Sequence, residues 1–149
     1  MDDSTLQEYR KRRNSYLDMA IPKEDYINYR LEKARKTLED AKILANSLSW
    51  NSSVNRLYYA CFYAVIAVLS KYEIESHTHM GAKSQFALHF IKTGLIDKDL
   101  GLLFSDLFDL RHKGDYADFI EFEQTLVNAL IPKVEIFLNQ IESLVRNSN

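Results

Sequence analysis

Along residues 23–48 the apolar positions Ile27, Leu31, Ala34, Leu38, Ala41, Ala45 and Leu48 recur every three or four residues, with Glu, Lys, Arg and Asp between them. That spacing lays one apolar stripe along a 3.6-residue helix and predicts a helix packed on one side. "NSLSWNSS" breaks the pattern and offers Asn51 to Ser53 as N-caps for a second helix over residues 52–72. Its centre, "LYYACFYAVIAVL", is apolar nearly all round, which marks a helix covered on several sides. One stripe is less apolar: Arg56, Tyr59, Tyr63, Ala67 and Ser70, with Ala60 beside them, suit a cleft or a partner helix better than a core.

A third helix is predicted over residues 80–92, closed by Thr93-Gly94 with glycine at the C′ position. A fourth covers residues 97–112, with Asp97 and Asp99 at its positive end. A fifth covers residues 121–146, with Leu126, Leu130, Phe137, Ile141 and Val145 facing inward; Pro132 must kink it or mark its true start. No segment alternates with a period of two. The expected fold is therefore all-α: an antiparallel up-down bundle of about five helices over residues 23–149, behind an N-terminal arm, residues 1–22. The arm is polar, helical or loose, and its basic cluster Arg10 to Arg13 reads as a solvated face.

Composition narrows the function classes. The chain has 149 residues, enough for one core, and four Gly and two Pro are too few for a turn-rich all-β fold. A net charge of −2 exerts no general pull on nucleic acid, so any such binding needs a local basic patch. The lone Cys61 lies in an apolar run and reads as a small core residue; with no signal peptide evident, a cytoplasmic location is expected. The uncharged run over residues 57–69 falls short of the ~20 residues that span a bilayer, so no membrane contact is expected. His77, His79, His89 and His112 come without a Cys cluster or a His-Glu-x-x-His helix, so neither metal nor cofactor is expected.

The candidate chemistry sits in "LFDLRHKGDYADF". On the fourth helix Leu100, Leu103, Phe104, Leu107 and Leu110 form the core stripe; Arg111 falls near its centre and His112 about 100° away. Arg111 cannot lose its proton, so it must meet a carboxylate, a phosphate, carbonyls or water. At a helix C-terminus it also complements the dipole. Gly114 permits a left-handed turn that brings Asp115 and Tyr116 back within reach. With Arg56 and Tyr59 these residues would make an anion pocket, and the Arg111 guanidinium is expected in a cleft and not in bulk solvent.

Three stretches carry a resemblance: "NRLYYACFYA", the "THMG" turn from Thr78 to Gly81, and "LRHKGDY". Together with "YINYRLEKARKTLEDAKIL" they resemble a prokaryotic branch of the HEPN domain family over about residues 26–146. The resemblance implies a helical bundle that dimerises and often pairs with a small nucleotidyltransferase in toxin–antitoxin modules. It also implies metal-independent endoribonuclease activity where an arginine is followed after four to six residues by a histidine. Here Arg111 fits, but the histidine positions hold Tyr116, Ala117 and Asp118. Expected, then, is a homodimeric component of a nucleotidyltransferase-linked toxin–antitoxin or defence module. Its cleft of Arg56, Tyr59, His79, Arg111, Asp115 and Tyr116 would bind an RNA phosphate or a nucleotide. Weak or absent cleavage is expected, since proton transfer needs a suitable base and a tyrosine titrates too high. The alternatives are an active ribonuclease, with Arg111, His79, His112 and Tyr116 as catalytic candidates, and a purely structural interaction module.

Overall fold

A computed structural model describes residues 3–17, 21–112 and 119–147. The elements are α1 (Asp3–Leu17), α2 (Lys23–Asn46), α3 (Trp50–Lys71), α4 (His79–Phe86) running into a π-turn (Ala87–Ile91), α5 (Lys98–His112) and α6 (Gln124–Asn147). The fold is an all-α helical bundle, and the described residues contain no strand. The arm's α1 is helical, with every described side chain from Asp3 to Ser15 exposed.

α2 and α3 pack along their lengths as an antiparallel pair, α6 lies against both, and α5 and α4 close over α3. Small residues allow the close approach: Ala41 of α2 and Ala60, Ala64 and Ala67 of α3 are fully buried. Ser53, also fully buried, satisfies its hydroxyl by donating to the Ala41 carbonyl at 2.8 Å. Phe86, Phe90, Phe104 and Phe137 fill the space between α4, the π-turn, α5 and α6. The seam between α2 and α6 is ionic: Arg35 donates to Glu142 at 2.6 Å and to Asn139 at 2.8 Å, and Lys42 pairs with Glu135.

Several boundaries differ from those the sequence predicts. α2 ends at Asn46, and Leu48 leaves its stripe: it is exposed with φ 62°, in the turn to α3. α3 begins at Trp50, so Asn51 and Ser53 do not cap it. Asn51 instead clasps the approach to α6, donating to the Ile120 carbonyl at 2.7 Å and accepting from the Phe122 amide at 2.8 Å. Pro132 lies inside α6 and does not start it; its missing N–H falls on the exposed side, where the Asn128 carbonyl has water to turn to. α3 as a whole is long and apolar enough to cross a bilayer, which the uncharged run alone is not; 61% of its most apolar window is buried inside the bundle, and that packing accounts for its apolarity.

Candidate functional site

The site lies where α3, α4 and the end of α5 meet. Thr78 sets its first wall: its hydroxyl caps α4 by accepting from the Gly81 amide at 2.8 Å. A Cβ on Gly81 would lie 3.0 Å from that oxygen, so a larger residue there would press on the capping hydroxyl. The cap fixes His79 as the first helical residue and aims its ring across to α3. There the ring stacks on Phe62 at 4.2 Å between centroids, and its Nδ1 shares a hydrogen bond of 2.8 Å with the Tyr58 hydroxyl. No sequence signal marks Tyr58 as the partner of His79. Tyr58 is fully buried by side-chain area, and burial pushes its phenol well above the ordinary range, with Tyr59 adding to the shift and Arg111 opposing it. It therefore stays protonated and available as a hydrogen-bond partner.

His112 is the principal correction. It does not face away from the site. Its ring stacks on Phe108 at 4.2 Å, meets Tyr58 edge-on at 5.3 Å and lies 5.1 Å from the ring of His79. The buried stripe of α5 runs through Leu100, Leu103, Phe104, Leu107 and Phe108, while Leu110 is only half-buried. Moving the stripe towards Phe108 brings His112, one turn on, to within about 40° of it. His112 Nδ1–H donates to the Phe108 carbonyl at 3.0 Å, since a carbonyl can only accept. That leaves Nε2 as the nitrogen free to exchange a proton.

Arg111 is exposed, like His112, and is not sunk in a cleft, because the leucine stripe carries it past the last packed turn of α5. It leans on Tyr59 instead, donating to the hydroxyl at 3.3 Å with its guanidinium carbon 5.6 Å from the ring centre. Arg56 covers the same ring at 4.9 Å and donates to the neighbouring Asn55 side chain at 2.8 Å. Two guanidiniums thus flank one tyrosine, and no carboxylate of a described residue forms an ion pair with either. Lys83 adds a third cation, 4.5 Å over the Phe108 ring and 3.7 Å from Asp109. Burial, then His112, then Arg111 hold the His79 imidazole below its usual range, so it is neutral at pH 7.

The structure places Arg56, Tyr59, His79 and Arg111 side by side, with His112 and Tyr58 next to them. Asp115 and Tyr116 lie outside the described residues. Cys61 is fully buried, with its thiol pushed up by desolvation, and takes no part. The described residues contain no cluster of three or more His, Cys, Asp or Glu that could hold a metal ion. Chemically, the site offers cations that no described carboxylate pairs with, and two imidazoles for proton exchange.

A helical bundle whose fourth bundle helix closes on Arg-His beside a capped Thr-His turn defines the class of protein. The HEPN domain model matches residues 27–144, and the chain belongs to the HEPN family. A UPF0332 protein of Thermotoga maritima is 40% identical over 125 residues, covering 84% of this chain and 95% of that relative. Methanocaldococcus jannaschii has two relatives, named "Putative toxin MJ0142" and "Putative toxin MJ0605". The first is 35% identical over 119 residues (80% of this chain, 81% of the relative) and the second 28% over 116 residues (78% and 86%).

Proposed function

We propose that the chain is the toxin-like component of a toxin–antitoxin or defence module, and that its Arg111 site takes an RNA phosphate or a nucleotide. It acts as a cytoplasmic homodimer beside a small nucleotidyltransferase. The observation that carries this reading is the pair of guanidiniums, Arg56 and Arg111, on Tyr59 with no described carboxylate to neutralise them. A charge-assisted contact to phosphate satisfies both at once. The word toxin in the names of two relatives supports the setting. The apolar character of α3 on nearly all its faces, in a bundle with few helices to cover it, supports a second copy. Filter binding of a short single-stranded RNA in EDTA tests the site: Arg111→Ala should bind at least tenfold more weakly than wild type, and equal affinity overturns the reading. Light scattering that finds only monomer at micromolar concentration overturns the dimer.

One observation favours a second reading, metal-independent cleavage: the imidazoles of His79 and His112 lie 5.1 Å apart beside Arg111. Neutral His79 would take the 2′-hydroxyl proton as that oxygen attacks the adjacent phosphorus. The P–O5′ bond then breaks, and protonated His112 returns a proton to the leaving oxygen through Nε2. The products are a 2′,3′-cyclic phosphate and a free 5′-hydroxyl. Digestion in EDTA by wild type that is abolished in both His79→Ala and His112→Ala would establish this reading over simple binding; intact RNA would exclude it.

A further inference from the structure

Arg30 of α2 lies at the centre of a second cation–tyrosine cluster. Its guanidinium carbon is 5.5 Å from the ring centre of Tyr63, 5.2 Å from Tyr26 and 5.7 Å from Tyr29, and its Nε donates to the Tyr26 hydroxyl at 3.2 Å. Tyr63 in turn meets Tyr59 of the site, 6.0 Å between ring centres. The two clusters therefore form one row: Arg111 and Arg56 on Tyr59, then Tyr63, then Arg30.

The row differs in charge from the helix–helix seams. Arg12, Arg35 and Arg146 each pair with a glutamate, whereas no described carboxylate pairs with Arg30, Arg56 or Arg111. α3, which supplies Tyr59 and Tyr63, contains no acidic residue. Tyr59, Tyr63 and Tyr26 are half-buried, so each is held by packing while part of its ring stays accessible, and Tyr29 is 53% exposed. Fixed aromatic faces interleaved with guanidiniums that no described carboxylate neutralises suit a single nucleic-acid strand: stacking for bases and cations for phosphates. The seven steps from Arg56 to Tyr63 rise about 10 Å along α3. That is room for roughly three nucleotides at the ~3.4 Å spacing of a stacked strand. Beyond Tyr26 the surface opens into a cleft of about 520 Å³ where Lys23 is already paired with Glu73, so it offers a phosphate chain no free cation of that pair.

We propose that this row is a binding track for single-stranded RNA, seating the nucleotides that flank the phosphate held at Arg111. The proposal rests on the reading of Arg111 as a phosphate site. It adds that Tyr59 and Tyr63 stack bases and that Arg30 holds a phosphate about three nucleotides away.

The test measures affinities of the full chain for a dinucleotide and for an eight-residue single-stranded RNA of mixed sequence. Arg30→Ala and Tyr63→Leu should weaken the longer RNA by about tenfold each and leave the dinucleotide within twofold. Arg30→Ala should also lower the salt slope of the longer RNA by about 0.7. Arg30→Lys should recover most of the loss and Tyr63→Phe nearly all of it, which guards against misfolding as the cause. Arg111→Ala should weaken both RNAs. Equal weakening of both lengths by Arg30→Ala, or of neither, overturns the track while leaving Arg111 standing. No effect of Arg111→Ala on either length overturns the underlying site instead. A change in light-scattering mass for Arg30→Ala and Tyr63→Leu with RNA affinity intact also overturns the track, and assigns the row to a subunit contact.

Discussion

Two arginines of α2, five residues apart, lie in opposite settings. Arg35 is locked into the α2–α6 seam by Glu142 and Asn139, with its charge neutralised and its geometry fixed by hydrogen bonds. Arg30 lies on the α2–α3 face among three tyrosines, held through its planar face and one phenol, with no described carboxylate to answer it. The seam spends its cations on holding helices together. The α3 face keeps its cations available, and Arg111 and Arg56 repeat the arrangement on Tyr59. The count of arginines is therefore a poor guide to a basic surface in a chain of net charge −2; what matters is which of them a carboxylate has already satisfied.

Substitutions on both sides can break that contrast. The largest effect is expected at Arg111→Ala: loss of about 1.5–3 kcal/mol of RNA binding, as for a hydrogen bond to a charged group, with the denaturant midpoint unchanged. A drop in stability comparable to the loss in binding would make Arg111 a structural residue like Arg35. Next is Tyr58→Phe, which leaves His79 Nδ1 without its described partner and should cost about 1 kcal/mol in urea unfolding. An unchanged midpoint would show that Phe62 stacking alone holds the imidazole. Arg35→Ala should cost less, about 0.5 kcal/mol, because the arginine side chain is 38% exposed and its charge is screened by water, and should leave RNA affinity untouched. Any fall in affinity there would erase the distinction between the faces.

The smallest effect is a pH dependence. The folded state holds His79 below its ordinary pKa, so below about pH 6.5 the unfolded chain binds a proton that the folded chain resists. Stability is full above that value and declines as pH falls towards the folded-state pKa. Melting temperatures at pH 7.5 and 5.5 should therefore differ more in wild type than in His79→Gln. An equal difference in both would assign the sensitivity to other groups.

The helices were legible wherever one stripe faced one neighbour. Ile27 to Ala45 gave α2 within two residues, and Asp97 to His112 gave α5 within one. Legibility failed where several faces are apolar. The stripe from Arg56 to Ser70 marks Tyr59 as facing a cleft, but nothing in "LYYACFYAV" shows that the inward Tyr58 meets His79, because that contact depends on where the distant Thr-His turn packs. An ambiguity of phase on α5, where Phe108 and Leu110 are equally apolar, decided the direction assigned to His112. The π-turn at Ala87–Ile91 was invisible for another reason: its 5-residue hydrogen bond from the Lys92 amide to the Ala87 carbonyl leaves no compositional mark.

Tyr58 belongs to two neighbourhoods at once. Its ring is stacked on Phe104 in the core, 6.0 Å between centres, while its hydroxyl holds a residue of the site. Interior repacking is thus not silent outside. A variant of Phe104 that keeps the bundle folded can still tilt Tyr58 and, through it, swing His79. For anyone selecting stabilised versions of this chain, survival of heat will be an insufficient screen. The permissible sequences at position 104 are set by the imidazole as much as by the core, and divergence of the interior among relatives is expected to travel together with changes at the Thr-His turn.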